Sequence, residues 1–276
     1  MKEFFSLGLV RGLIWQAIGT AAGMGLLGAI RALMGLPWKT EPAMVFGGVV
    51  GAITFLAGIG TMHDWWHMAL GKPVLEAEEV HETPGGVRYF GVSLDHKVIG
   101  VQYGFLSMIT LALGGTFALI FRTELAQAGL DFLNYLQFNT LIGMHGMVLI
   151  ASILMGIAAM ANFIIPLMIG AKDMAFPRLN AFSFWMAVPG TVLLVSAMFV
   201  GGFETGWTAY PPLSVRGPMG IQVFFLGVYI VGWSSILGSL NLIATILMMR
   251  APGMTLFRMP IFAWAMLATS IISTTA

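Results

Sequence analysis

Long stretches that contain no Asp, Glu, Lys or Arg constrain the fold of this chain more than any other feature. Seven of them approach or exceed the about 20 residues that a membrane-spanning helix requires. Only 9% of the 276 residues are charged, against about a quarter in soluble domains, so the apolar surface must face lipid. We therefore predict an all-α, polytopic transmembrane helical bundle with about seven spanning helices. The stretches are residues 12–30, 42–62, 98–121, 132–171, 181–203, 217–249 and 259–276.

The basic residues between these stretches are distributed unequally over the two sides of the bundle. Lys and Arg flanking cytoplasmic ends outnumber those on the opposite side in membrane proteins. The side of the N-terminus holds nine of them and is therefore predicted to be cytoplasmic. These nine are Lys2, Arg11, Lys72, Arg88, Lys97, Lys172, Arg178, Arg250 and Arg258, and the opposite side has Arg31, Lys39, Arg122 and Arg216.

The distribution of polar residues divides the chain into three parts. Residues 1–62 are predicted to form two transmembrane helices, residues 63–94 a cytoplasmic polar linker, and residues 95–276 the main bundle. The chain has no cysteine, which excludes disulfides and Cys-ligated metal within it. No basic patch long enough for nucleic acid is present.

His145 is the only His, Asp, Glu, Lys or Arg in the stretch 132–171. A polar titratable group inside a span is costly and suggests a function, and a neutral imidazole is a common ligand of haem iron. Gly143 and Gly146 beside it are expected to leave room for a large planar ring. The alternative is a histidine that is hydrogen-bonded to a neighbouring helix.

Asp173 lies in a short polar loop on the predicted cytoplasmic side. Its carboxylate could collect protons at the mouth of a pathway, or it could be a solvated loop residue beside Lys172 and Arg178. Polar residues in or next to the spans could line such a pathway or form ordinary hydrogen bonds between helices. They include Asn162, Asn180, Ser183, Ser234 and Ser235.

Aromatic and charged residues near the span ends have two interpretations. Arg122 could anchor its helix at the interface, or bond a buried carbonyl or anionic group through its fork of donors. Trp207 and Tyr210 are typical of an interfacial aromatic belt. His63 and His67 could share one helical face and bind a metal, whereas the adjacent Trp pair favours an interfacial anchor. His81 and His96 receive no role.

Five motifs in order resemble subunit I of haem–copper oxidases, closest to the aa3-like cytochrome c oxidase branch. The resemblance runs from about Asp95 to the end. The longest motif is PLMIGAKDMAFPRLN at residues 166–180. The others are DHKVIG at 95–100 with RTEL at 122–125, NTLIGMH at 139–145, GWTAYPPL at 206–213 and WSSILGSLN at 233–241.

This resemblance implies roles for individual residues. His145 resembles an axial ligand of the low-spin haem, expected to be haem a. Arg122 resembles a residue that bonds a haem substituent, and Gly114 the small residue against that haem. Trp207 and Tyr210 resemble the loop near the haem propionates. Asp173 resembles the entrance of a proton-uptake channel, whose polar residues would be Tyr103, Asn162, Asn180, Ser183, Ser234 and Ser235.

The resemblance further implies the low-spin-haem part of a terminal oxidase, which passes electrons from cytochrome c to oxygen and pumps protons. The expected partners are other subunits, one bearing copper, a cytochrome c or similar donor, and lipid of a bacterial inner membrane. The alternatives are an assembly subunit without haem and a secondary transporter. No histidine follows His145, so copper and the high-spin haem are expected in helices beyond this sequence, and the chain alone is expected not to reduce oxygen. Residues 157–161 (IAAMA) depart from the family pattern before Asn162.

Overall fold

The computed structural model describes residues 7–74, 86–129 and 132–275. In these ranges all regular structure is helical. The α-helices are α1 (Gly8–Leu33), α2 (Thr40–Ile59), α3 (His63–Ala69), α4 (His96–Glu124), α5 (Tyr135–Ile169), α6 (Pro177–Ser196), α7 (Leu213–Arg216), α8 (Met219–Met248) and α9 (Ile261–Thr275). Short 3₁₀ helices cover Gly86–Phe90 and Leu256–Arg258.

Six of the described helices are long and apolar enough to cross a membrane, namely α1, α2, α4, α5, α6 and α8. The seventh predicted span corresponds to α9, whose 15 residues reach about 22 Å at 1.5 Å per residue. The stretch 132–171 forms one helix of 35 residues, about 50 Å long, rather than a helix interrupted by a loop. The predicted all-α transmembrane bundle is confirmed.

Capping residues fix where the helices that carry the site begin and end. The carboxylate of Asp95 accepts the Lys97 N–H at 2.7 Å and starts α4. Asn134 and Gln137 form a reciprocal capping box at the start of α5. Gly170, with φ of 71°, ends α5 in a left-handed conformation that favours glycine. The chain then turns directly into the loop that carries Asp173.

Helices that are neighbours in sequence pack against each other. α1 pairs with α2, α4 with α5, α6 with α8, and α8 with α9. The α1–α2 hairpin is close-packed at its glycines, since a Cβ on Gly51 would lie 2.1 Å from Thr20 Oγ1. The hairpin contacts the remaining bundle through α2, which packs on α6 and α8, and through Gln16, whose amide donates to the Pro189 carbonyl at 3.4 Å.

The segment predicted as a polar linker contains two short helices in its described parts. α3 follows α2 almost directly, and the 3₁₀ helix Gly86–Phe90 precedes α4. The carbonyls of Tyr89 and Gly91 accept hydrogen bonds from the Gln102 amide at 3.1 and 2.9 Å. The acidic cluster formed by Glu76, Glu78, Glu79 and Glu82 lies outside the described residues. The division at residues 62 and 94 stays a prediction.

Candidate functional site

His145 is half-buried on α5 and faces α4. Its Nδ1 lies 2.8 Å from the Gly114 carbonyl oxygen. A carbonyl can only accept a hydrogen bond, so Nδ1 carries the proton and donates. The neutral ring then presents Nε2 as its free lone pair, which is the arrangement that metal-ligating histidines commonly adopt. The edge of the ring packs against Phe121, with ring centroids 5.5 Å apart.

The two glycines beside His145 make room for side chains of the loop that follows α6. A Cβ on Gly143 would lie 2.7 Å from the Phe203 ring, and one on Gly146 would lie 3.2 Å from the Trp207 ring. These two aromatic side chains lie next to the glycines, and the expectation that Gly143 and Gly146 leave room for a large planar ring stays a prediction. Glycine at these two positions indicates that a side chain there would not fit, but it does not identify the neighbouring group that excludes the side chain.

Gly114 brings α4 and α5 together at the level of His145. A Cβ at this position would lie 2.6 Å from Leu149 Cδ2, so the absence of a side chain permits the close approach of the two helices. The same residue supplies the carbonyl that orients His145. The resemblance had implied that Gly114 is the small residue lying against the haem, which stays a prediction.

Arg122 and Glu124 end α4 on the same side of the bundle but differ in their surroundings. Arg122 is exposed, which leaves both interpretations of this residue open. Glu124 is only 1% exposed, and its carboxylate accepts the backbone N–H groups of Phe132 and Leu133 at 3.2 and 3.1 Å. Glu124 therefore ties the end of α4 to the chain leading into α5, a role that sequence reasoning missed.

Trp207 and Tyr210 lie in the loop between α6 and α8. Trp207 is 49% exposed and Tyr210 is 74% exposed. The ring of Trp207 lies close to Gly146, so this loop covers α5 next to His145. The exposure of Tyr210 is compatible both with an interfacial residue and with a residue near haem propionates, and its role stays a prediction.

Asp173 lies at the opposite end of α5 from its capping box, against the beginning of α4. Its carboxylate accepts the Met174 N–H at 2.6 Å, and His96 and Asp95 lie close enough to interact electrostatically. Burial raises the pKa of Asp173 above its ordinary value, and the opposing effects of the Met174 N–H and His96 do not cancel this. A carboxyl with a raised pKa is better suited to take up and release protons near neutral pH.

His96, for which no role was predicted, is 2% exposed. Its Nδ1 donates to the Asn162 carbonyl at 2.8 Å. Because His96 neighbours Asp173 on one side and bonds Asn162 on the other, it connects the loop to the interior of the bundle. The sequence contains a weak signal for the position of His96. Asp95 is a residue type that caps helix N-termini, so His96 is expected in the first turn of the helix that follows.

Three of the predicted pathway side chains, Tyr103, Ser183 and Ser234, are linked by hydrogen bonds in the interior. Tyr103 Oη and Ser183 Oγ are 3.2 Å apart. Ser183 Oγ donates to the Asn180 carbonyl at 2.8 Å, and Ser234 Oγ donates to the Ser183 carbonyl at 2.6 Å. Ser235 Oγ lies 3.0 Å from Ser273 Oγ. The structure thus brings these side chains together from α4, α6, α8 and α9.

Four of the same residues line one cavity of about 110 Å³, namely Tyr103, Asn162, Ser234 and Ser235. Asn162 Oδ1 and both side-chain amide atoms of Asn180 are buried without a protein partner. Buried polar atoms usually have partners, and water supplies them where a cavity admits it. The cavity is large enough to admit water, since one molecule needs only about 10–15 Å³ of such space.

The His63–His67 pair lies on one face of α3, as the spacing predicted, with ring centroids 4.1 Å apart. Asp64 between them accepts a hydrogen bond from Arg178 Nε at 2.8 Å. Across the described ranges no group of three or more His, Cys, Asp or Glu side chains could hold a metal ion. His81 lies outside these ranges.

Residues 98–276 match the family model described as Cytochrome C and Quinol oxidase polypeptide I. The chain belongs to this family. Cytochrome c oxidase subunit 1 of Synechocystis is 50% identical over 184 residues, covering 66% of this chain and 33% of that relative. The protein of the same name from Thermostichus vulcanus is 45% identical over 188 residues, 67% of this chain and 34% of the relative. The protein of the same name from Corynebacterium efficiens is 43% identical over 187 residues, which cover 65% of this chain and 32% of that relative. The chain spans about a third of the length of these curated relatives.

Membership in the Cytochrome C and Quinol oxidase polypeptide I family confirms the resemblance drawn from the five motifs. The matched segment includes His145, Asp173 and the other residues for which the resemblance implied a role, whereas His96 and the His63–His67 pair precede it. It begins at residue 98, so α1, α2 and α3 lie outside it. The N-terminal hairpin is therefore a feature of this chain that the family model does not account for.

Proposed function

We propose that this chain forms the low-spin-haem-bearing part of the catalytic subunit of a terminal oxidase. The subunit would pass electrons from cytochrome c toward oxygen and couple their transfer to proton pumping. The observation that supports this most directly is the orientation of His145, whose Nδ1 donates to Gly114 and whose Nε2 is available. Family membership through residues 98–276 supports the same function.

The residues around His145 fit a haem. Imidazole Nε2 is a suitable ligand for haem iron, and a ring oriented through Nδ1 loses little freedom on binding. Arg122 would bond a haem substituent, Gly114 would lie against the macrocycle, and Trp207 and Tyr210 would lie near the propionates. The bound haem, expected to be haem a, would supply one-electron transfer.

The polar group in the interior fits proton uptake from the cytoplasmic side. Asp173 would take up a proton there, since burial raises the pKa of this carboxyl. His96 and Asn162 would link it to the cavity lined by Tyr103, Ser234 and Ser235. Asn180 and Ser183 would complete the path, with waters bonded to the buried amides. The hydroxyls and waters of this path can both donate and accept protons, whereas the main-chain carbonyls of Asn162 and Asn180 only accept and would orient His96 and Ser183.

The remaining parts of the oxidase would come from outside this sequence. Copper and the high-spin haem would be held by further helices, and a second subunit bearing copper would receive electrons from cytochrome c or a similar donor. The six apolar helices make the chain an integral membrane protein, and we infer that the membrane is a bacterial inner membrane.

The test is the absorbance spectrum of the assembled oxidase with His145→Leu. We expect the low-spin haem signal to disappear, because leucine has similar bulk and no lone pair. His67→Leu is the matched control, since this histidine lies on α3 outside the family segment, and it should leave the spectrum intact. A complete low-spin spectrum in His145→Leu would contradict the assignment. Absence of any haem in the unaltered complex would favour the assembly-subunit or transporter function.

A further inference from the structure

An open pocket of about 790 Å³ lies where α1 begins and α2 ends. Its lining combines one arginine and one histidine with three tryptophans: Arg11, His63, Trp15, Trp65 and Trp66. All of these residues precede the segment matched by the oxidase family, so neither the proposed haem site nor the proton path uses them. The pocket lies on the side that carries nine of the basic residues and is predicted to be cytoplasmic.

Arg11 is held in place by the last carbonyls of α2. Its Nε donates to the Gly58 carbonyl, and Nη2 donates to the Ile59 carbonyl at 3.3 Å. A guanidinium has five N–H donors in a rigid fork, so these two bonds leave up to three donors for a ligand. The side chain is exposed, and its orientation is fixed before any ligand arrives.

The charge in and around the pocket is positive. Among the described residues, the pocket lining contains no acid. Asp64 follows His63 in sequence; its carboxylate is bonded by Arg178 Nε at 2.8 Å and lies 3.4 Å from His63 Nδ1. Arg178 therefore offsets the charge of Asp64, whereas the two described bonds of Arg11 go to neutral carbonyls. The helix C-terminus contributes a partial negative charge, which reduces the full charge of Arg11 without cancelling it.

The tryptophans give the pocket the character of a membrane interface. Trp66 is 66% exposed and Trp15 is 47% exposed. Tryptophan rings concentrate at the level of lipid headgroups, and basic pockets between transmembrane helices on the cytoplasmic side bind anionic headgroups. The charged phosphodiester of a lipid bound here would contact Arg11. The glycerol and the first acyl carbons of the same lipid would contact the indole rings.

We propose that this pocket is a binding site for the phosphodiester headgroup of an anionic phospholipid of the cytoplasmic leaflet, with Arg11 as the residue that bonds the phosphate. Trp15 and Trp66 contact the apolar part of the lipid. The lipid joins the beginning of α1 to α3 and thereby fastens the N-terminal hairpin at its cytoplasmic end.

Native mass spectrometry of the purified full chain, with phosphatidylglycerol or phosphatidylcholine added, tests the site. Arg11→Gln should reduce the retention of phosphatidylglycerol about fivefold, as expected for one basic residue worth about 1 kcal/mol, and should leave that of phosphatidylcholine unchanged. Arg31→Gln is the matched control. Arg31 lies at the other end of α1 and also donates to a carbonyl, that of Pro37 at 2.9 Å, but it is not part of the lining of this pocket.

A second variant keeps the test decisive if Arg11→Gln does not fold, which circular dichroism would show. Trp66→Glu adds a negative charge at a largely exposed position and leaves the bonds of Arg11 to α2 in place. It should lower phosphatidylglycerol retention selectively. Unchanged retention in both folded variants, or an equal loss of both lipids, would overturn the proposal. Displacement of the lipid by inorganic phosphate alone would overturn it too, because the site would then bind free phosphate.

Discussion

At the scale of the residue, His145 is oriented by a main-chain atom rather than by a carboxylate side chain. The Gly114 carbonyl accepts the Nδ1 proton at 2.8 Å, and α4 and α5 approach each other closely at this point because position 114 has no side chain. The position of the imidazole therefore depends on the distance between two helices, which packing sets.

Gly114→Ala should disturb this geometry. The added methyl would lie 2.6 Å from Leu149 Cδ2 and 2.9 Å from Cγ, so the helices should separate at a cost of about 1–3 kcal/mol. We expect a shifted haem absorbance and a lower thermal midpoint. The double variant Gly114→Ala/Leu149→Ala should restore both. Gly115→Ala is the control, because its Cβ would meet nothing within 4 Å; an equal shift in this control would contradict the packing argument.

Asp173→Asn should lower oxygen consumption and proton pumping by at least about tenfold, as loss of a proton-transfer group does, while the haem spectrum stays intact. The exposed acid Glu204 provides the control Glu204→Gln, which should retain full turnover. Full turnover of Asp173→Asn would mean that the carboxylate is only a loop residue.

The thermal stability of Asp173→Asn, measured as a function of pH, tests the direction of the Asp173 pKa shift independently. Because burial raises the pKa of Asp173 in the folded state, the ionised carboxylate destabilises the fold above that pKa. The unaltered chain should therefore gain stability relative to Asp173→Asn as the pH falls from neutral through that pKa. A loss of relative stability over the same interval would contradict the direction of the shift.

A candidate site residue is easiest to recognise from the sequence where its neighbours along the chain are apolar. His145 stands out because it interrupts 40 otherwise uncharged residues. His96 and Glu124 do not stand out, since both lie at helix ends among other polar residues, yet they are 2% and 1% exposed. Their burial depends on which chain segment covers the helix end, and that is decided by tertiary packing rather than by local composition.

At the scale of the element, the ion pair between Asp64 and Arg178 connects α3 to the beginning of α6, with Nε and Oδ2 2.8 Å apart. Burial alone would raise the pKa of Asp64, but hydrogen bonds and charges of Arg178 and His63 outweigh it and lower the pKa below its ordinary value. This interaction crosses from the N-terminal unit to the family segment.

A double-mutant cycle with Asp64→Asn and Arg178→Gln should give a coupling of about 0.2–1 kcal/mol at neutral pH, as for partly exposed ion pairs. Since the pKa of Asp64 is lowered in the fold, its contribution is present at neutral pH and is lost as the pH falls through that pKa. Thermal unfolding of the four proteins of the cycle, at neutral pH and at a pH below the pKa of Asp64, measures this coupling. A coupling that does not fall with pH would show that charge is not its origin.

The ends of the elements were predicted less well than their existence. The uncharged stretch 181–203 indicated a span, whereas α6 covers Pro177–Ser196. Residues beyond Ser196 are apolar but not helical, and Phe203 there is fully buried against Phe224. The absence of charge indicates burial or contact with lipid. It does not predict that the chain turns at Gly201 and Gly202, which have φ angles of 115° and 63°.

At the scale of the whole molecule, the α1–α2 hairpin precedes the family segment, and we expect that it can be loosened without disturbing the proposed haem site. Gly51→Val should destabilise it, because the Cβ would lie 2.1 Å from Thr20 Oγ1 and 2.9 Å from the Gln16 carbonyl. We expect a lower thermal midpoint and an unchanged haem spectrum. Gly25→Ala is the matched control on α1, with nothing within 4 Å of its Cβ, and should be neutral or slightly stabilising through helix propensity. Loss of the haem signal in Gly51→Val alone would show that the hairpin supports the core directly.

The pairing of helices that are neighbours in sequence has a consequence for biosynthesis. A helix that enters the bilayer alone exposes the polar atoms and grooves that its partner will later cover. Here α1 meets α2, α4 meets α5, and α6 meets α8, so each partner emerges from the ribosome soon after the helix that it covers. Insertion can then proceed pair by pair, so that a helix waits only a short time in the membrane before its partner covers it.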